Sequence, residues 1–150
     1  MKLFSRKNSR DEFVKRLQQD YLDELYLAKK ISEAAEKTRY KQYREKLLTL
    51  AQDDESHADI IKQMIVHLKG TPPGKSSIKE TAGNKTFFEI LNESLQLDRD
   101  EYYDSYQRLY EAEDEGLTNF LPVIDKMRNE KAEHRQILLS ILQTLNPYQV

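Results

Sequence analysis

The chain has 150 residues, a net charge of −2 and no cysteine. That length supports one domain with a core of its own. The near-neutral charge offers nucleic acid no basic surface, and the missing cysteine excludes disulfides, thiolate zinc sites, cysteine-ligated iron–sulfur centres and cysteine nucleophiles.

Charged residues make up 33% and apolar ones 38% of the chain, with only four glycines and four prolines. This composition favours a soluble helical protein. The opening MKLFSRKNSR is basic, but no apolar run follows, so no signal peptide is expected. No stretch approaches a membrane span, and the expected location is the cytoplasm.

Residues 1–8 are expected to form a loose tail. Ser9 followed by Glu12 has the capping-box pattern and predicts the start of a first helix. Its apolar seam is Phe13, Leu17, Tyr21, Ala28, Ile31 and Ala35, interrupted by Glu24. The seam loses register near Lys37–Lys41, which predicts a short turn. A second helix then runs to about Lys69, with the seam Tyr43, Leu47, Leu50, Asp54, His57, Ile61, Met64 and Leu68. Asp54 and His57 stand three apart, so one helical face presents both to one point. Burying them costs several kcal/mol unless something compensates.

Residues 69–85 hold three of the four glycines and two of the prolines, and read as a linker. A linker of this length suits a crossover between helices that run parallel. Thr86 with Glu89 repeats the capping-box signal and opens a third helix that reaches about Glu113. Two stripes compete for its buried face. One carries Leu91, Ser94, Asp98 and Glu101, and a more apolar one carries Leu95, Asp98, Tyr102 and Tyr106. Gly116 ends the helix. A fourth helix, with Thr118 as N-cap and Pro122 in its first turn, carries Phe120, Ile124, Met127, Lys131, His134, Leu138, Ile141 and Leu145, and Asn146-Pro147 stops it. The bundle is expected over residues 9–146, with helix pairs at 9–68 and 86–145.

The two pairs match at one offset. Adding 77 takes Glu24 to Glu101, His57 to His134 and Asp53 to Glu130, but takes Asp54 to Lys131. This is read as an internal repeat. Each helix then brings polar groups to mid-bundle: Glu24, then Asp54 with His57, then Glu101 with Asp98 nearby, then His134. Oxygen and imidazole donors in this mixture suit iron or manganese, with zinc a further option.

The pattern resembles the ferritin-like superfamily, and within it rubrerythrin-like proteins without a rubredoxin domain. The run D-D-E-S-H-A at 53–58 is similar to that family's second-helix motif. The resemblance implies an all-α four-helix bundle with one long crossover between helices 2 and 3. It also implies a glutamate from each of two helices and a Glu-x-x-His from each of the others, holding a di-iron site for oxygen, peroxide or iron handling. The ligand set it implies is Glu24, Asp54, His57, Glu101 and His134, with Glu130 as a substitute acid. A homodimer is expected, with no nucleic-acid or membrane partner, and the electron donor is unspecified.

Two positions depart from the motif. Asp54 is one methylene shorter than glutamate, and Lys131 stands where the second motif needs its acid. An ammonium repels a metal, so the competing reading is a metal-free helical scaffold or partner-binding module in which Lys131 supplies the missing charge. That ammonium is expected within reach of at least one seam carboxylate. The tyrosines of the third helix are read as core or interface packing, His67 as a surface residue, and the acidic run 111–115 as a solvated helix end.

Overall fold

A computed structural model describes residues 2–81 and 83–145, with side chains from residue 9 onward. The chain forms four long helices: α1 (Lys2–Lys37), α2 (Lys41–His67), α3 (Phe87–Asp114) and α4 (Leu121–Thr144). Single 3-10 turns lie at Lys75–Ser77 and Thr118–Phe120. Among the described residues there is no strand.

The first helix starts seven residues before its expected N-cap. Ser9 does not cap it. The Ser9 hydroxyl donates to Glu115 at the far end of α3, and Arg10 joins it there, with Nε 3.0 Å from Glu115 Oε1. No glycine or proline breaks residues 2–8, so helical geometry continues through them. The expected stop at Asn146-Pro147 lies outside the described residues.

The other boundaries follow local chemistry. α1 ends where Thr38 turns the chain: its hydroxyl accepts from the Tyr40 amide, and Arg44 donates to its carbonyl at 2.9 Å. At the start of α3 both halves of the capping box form. The Glu89 amide donates to Thr86 Oγ1 at 3.1 Å, and the Thr86 amide donates to Glu89 Oε1 at 3.0 Å. Gly116, at φ 72°, closes α3 in the left-handed region, and the Leu117 amide returns to the Ala112 carbonyl at 2.8 Å. Thr118 begins the 3-10 turn, and Pro122 sits in the first turn of α4, where its missing N–H is harmless.

The crossover lies along α1. Gln18 holds the Thr71 carbonyl, Lys29 reaches Glu80, and Lys37 donates to the carbonyls of Gly83 and Lys85. From Gln18 to Lys37 is roughly 28 Å of helix at about 1.5 Å per residue. The connection therefore carries the chain back along the bundle, so α3 runs in the same direction as α2. α1 packs on α2 and α3, and α3 on α4, while α2 and α4 touch only sparsely.

Two apolar cores fill the bundle. One holds Leu27, Ile31, Leu47, Leu50, Ile90, Leu91, Leu138 and Ile141. The other holds Phe13, Leu17, Ile61, Met64, Ile65, Phe120, Ile124 and Met127. Between them in sequence on every helix stand the polar residues of the mid-bundle layer.

Candidate metal centre

Every helix contributes to the layer. α1 brings Glu24, and α2 brings Asp54 and His57 one turn apart. α3 brings Asp98 and Glu101 one turn apart, and α4 brings Lys131 and His134. Asp54 and Asp98 are fully buried, and Glu24, His57, Lys131 and His134 nearly so. Glu101 has a side chain only 13% exposed.

At the centre stands the Lys131 ammonium. Its Nζ lies 2.8 Å from Glu24 Oε2, 2.8 Å from Asp54 Oδ1, 2.9 Å from Glu101 Oε1 and 3.4 Å from Asp98 Oδ1. It thus reaches four carboxylates, one from α1, one from α2 and two from α3. An ammonium has three hydrogens and cannot bond all four partners. Its hydrogen bonds go to Glu24 and Asp54, and neither oxygen of Asp98 or of Glu101 has a hydrogen-bond partner.

The two histidines stack across the sparse α2–α4 interface, with ring centroids 5.8 Å apart and planes 23° from parallel. Each turns Nε2 outward to an acid on the other's helix. His57 Nε2 meets Glu130 Oε1 at 3.1 Å, and His134 Nε2 meets Asp53 Oδ2 at 3.1 Å. Each acid stands four residues before the opposite histidine. A carboxylate only accepts, so Nε2 carries the hydrogen in both pairs. Each Nδ1 then faces the acids of the layer. His57 Nδ1 is 3.7 Å from Glu24 Oε2 and 3.8 Å from Asp54 Oδ1, and His134 Nδ1 is 3.4 Å from Asp54 Oδ1. Neither Nδ1 has a hydrogen-bond partner.

Burial and charge set the protonation of the layer. Burial pushes the Glu24 carboxyl up to about 8, with the Lys131 ammonium pulling the other way. Burial likewise holds Glu101 well above the usual carboxylate range. Asp98 rises to about 6 for the same reason. Burial acts on Asp54 too, but Lys131 and His134 outweigh it and hold Asp54 below its ordinary value. Lys131 resists the loss of its proton on burial because the four carboxylates hold it. Asp54 raises His134 against its own burial, whereas burial and Lys131 lower His57. The shifts thus split the layer: Glu24, Glu101 and Asp98 are biased towards the protonated form, and Asp54 and Lys131 towards the charged one.

Glu24, Asp54, His57, Glu101 and His134 all meet in this layer. Glu130 does not enter it: its side chain is 35% exposed and serves as the outer partner of His57. Asp98 and Asp53 were not among the expected ligands. Asp98 has Tyr21 as its counterpart 77 residues back, so the offset gave no signal for it, although both competing stripes of α3 contain it. Asp53 carried a signal as the counterpart of Glu130. The α3 tyrosines lie outside the layer. Tyr103, Tyr106 and Tyr110 are exposed, and Tyr102 and Tyr106 share a hydroxyl contact of 3.2 Å. His67 is exposed at the end of α2. The acidic run is less solvated than expected, since Glu111 pairs with Arg16 and Arg108, and Glu115 with Arg10.

Two triads have donor atoms within 4.8 Å of one another: Glu24, Asp54 and His57, and Asp54, Asp98 and His134. Two imidazole nitrogens, Asp54 Oδ2 and both Asp98 oxygens lie buried there without a hydrogen-bond partner. This donor chemistry fits a divalent transition ion. It fits one ion better than two, because Asp54 belongs to both triads and Lys131 holds the side a second acid would occupy.

No protein-family model matches the chain. No curated protein matches it in sequence either. Among solved structures, it is similar to the bacterioferritin of Desulfovibrio desulfuricans, a protein with a diiron site described in different catalytic states. The TM-score is 0.83 at 14% identity, over 93% of this chain and 83% of that one. At that identity the likeness speaks for the fold alone. The chain is a ferritin-like four-helix bundle with a buried carboxylate–histidine layer.

Proposed function

We propose that this chain binds a single divalent transition metal, iron or manganese, in its mid-bundle layer, and serves iron handling or oxygen and peroxide chemistry. The observation that carries the reading is the pair of unpartnered, inward-facing Nδ1 atoms of His57 and His134 around Asp54. Asp54 would hold the ion from either triad, with Glu24 and His57 or with Asp98 and His134 completing the set. Glu130 and Asp53 orient the imidazoles from outside. Iron held by these residues would supply reducing electrons to oxygen or peroxide.

The chain's own residues set the conditions for loading. Lys131 holds Glu24 Oε2 and Asp54 Oδ1, the oxygens that lie 3.7 and 3.8 Å from His57 Nδ1. Two unit charges about 4 Å apart repel by roughly 4 kcal/mol at an effective dielectric near 20, and a dication doubles this. Binding therefore requires the ammonium to lose its proton or withdraw. Affinity should rise with pH.

A second reading is favoured by the Lys131 contacts themselves. An ammonium on four carboxylates leaves the layer balanced without metal, which suits a metal-free scaffold or partner-binding module. Metal analysis of protein purified without chelator, followed by anaerobic Fe(II) and Mn(II) titration of the parent and of Lys131→Glu, separates the two. The first reading expects one ion per chain in the parent, whereas the scaffold reading expects none in the parent and binding only where Lys131→Glu restores the acid. Absence of binding in both would leave the scaffold reading standing. Two ions in the parent would refute the idea that Lys131 takes the place of a second metal.

A further inference from the structure

The outer face of α3 carries an aromatic stripe that the buried layer does not use. Tyr103 and Tyr110 stand two turns apart and are 60% and 77% exposed. At about 100° per residue, Arg99, Tyr103, Tyr110 and Asp114 fall within about 60° of one another around the helix. Arg99 and Asp114 are exposed as well. The stripe therefore reads cation, ring, ring, anion, over roughly 22 Å of helix at about 1.5 Å per residue.

The neighbouring tyrosines already have partners in the chain. The Arg128 guanidinium lies over the Tyr106 ring at 4.5 Å, and that of Arg135 over Tyr102 at 6.0 Å, so α4 holds both rings. Tyr103 makes a T-shaped contact with Tyr102 at 5.5 Å, and Tyr110 has no ring contact among the described residues. Arg99 meets its chain neighbour Asp100 at 4.0 Å, and Asp114 has no ion pair among the described residues.

We propose that this stripe is the contact surface for a second copy of the chain, with the two α3 helices packed antiparallel about a twofold axis between Tyr106 and Gln107. A twofold contact pairs one surface with itself, so the surface must be complementary to its own reverse. The pairs Arg99–Asp114 and Tyr103–Tyr110 share one midpoint in the sequence, so a single axis satisfies both. Ring then meets ring and cation meets anion, each twice. Asp100 and Glu113 share that midpoint with like charge, but they fall about 70° from the centre of the stripe, at its margins. Parallel packing would instead set Arg99 against Arg99 and Asp114 against Asp114, which is repulsive. Tyrosine and arginine are also the side chains enriched at interface centres. A single helical stripe covers less than the ~800 Å² per partner of a standard interface, so the pair is expected to be weak and reversible.

Sedimentation velocity on a concentration series reaching millimolar protein is expected to show a monomer–dimer equilibrium. Tyr103→Ser combined with Tyr110→Ser removes the central rings from both copies and is expected to raise the dissociation constant about tenfold or more. Arg99→Asp or Asp114→Arg alone sets like charges together twice and is expected to raise it severalfold. The two charge substitutions combined restore the pair in reverse and are expected to return it close to the parent value. All four positions are exposed, so the variants should fold, and circular dichroism checks this. A parent that stays monomeric throughout overturns the proposal. So does a dimer that the tyrosine variant leaves intact, since its contact then lies on another face. A combined charge variant no tighter than either single one overturns the antiparallel pairing.

Discussion

The two helix pairs bring nearly the same parts to the layer. Each supplies one glutamate, Glu24 or Glu101, and one histidine, His57 or His134. Each also supplies an acid four residues before the histidine, Asp53 or Glu130. They differ three residues before the histidine, where α2 has Asp54 and α4 has Lys131. With an acid in both places the layer needs positive charge from a bound ion. With Lys131 the charge comes from the chain, 2.8–3.4 Å from four carboxylates. One side chain decides whether the bundle is balanced from within or by a solute.

The hardest test of that contrast is to remove the charge. Lys131→Met keeps much of the apolar stem and deletes the ammonium. Breaking a buried ion pair from one side costs about 3–5 kcal/mol, since the partner charge is left uncompensated. Urea unfolding at pH 7.5 without metal should show a loss of that order. At pH 5 the loss should shrink, because the acids then take up protons. A variant as stable as the parent at pH 7.5 would mean that Lys131 does not balance the layer.

The next test changes pH. Glu24 at about 8 and Asp98 at about 6 lie above their unfolded values. A carboxyl raised by folding adds stability below its unfolded pKa, and that stability is lost as pH rises through the folded one. Asp54, held low, acts oppositely: its contribution is present above its unfolded value and is lost as pH falls below it. Metal-free protein should therefore be most stable at mildly acidic pH and lose on the order of a few kcal/mol towards pH 8. Glu24→Gln cannot ionise and should flatten the upper part of this slope. Stability that climbs from pH 5 to pH 8 in the parent would mean that Glu24 and Asp98 enter the fold already ionised.

These tests lean on residues that were legible to different degrees. The four helices and the crossover were readable because apolar spacing and the Gly/Pro-rich linker are local signals. Glu24, Asp54, His57, Glu101 and His134 were readable because a polar residue on an apolar seam stands out. Asp98 was obscured by the competition between two stripes on α3, and burial decides that only through the other helices. The capping-box reading at Ser9 failed because the same hydroxyl found a distant partner, Glu115, which no local pattern contains. Glu130 reads as a substitute ligand in the sequence, but its position one residue from the seam points it at His57 across the helix gap.

The smallest effects should come from the outer acids, and they test whether the two halves remain alike where their sequences agree. Asp53→Asn and Glu130→Gln each weaken one bond to a histidine Nε2. Both acids are partly exposed, at 45% and 35% for their side chains, so water replaces much of what is lost. Each substitution should cost no more than about 1 kcal/mol of stability. Ligand geometry is more sensitive than stability, because each imidazole is aimed by its outer bond. If the layer takes a metal, each variant should lose about tenfold or more in Mn(II) affinity by calorimetry. The two losses should be comparable, because Asp54 belongs to both triads and each histidine completes one of them. An unchanged affinity in both variants would show that the imidazoles do not ligate, and the likeness of the two halves would then be one of packing alone.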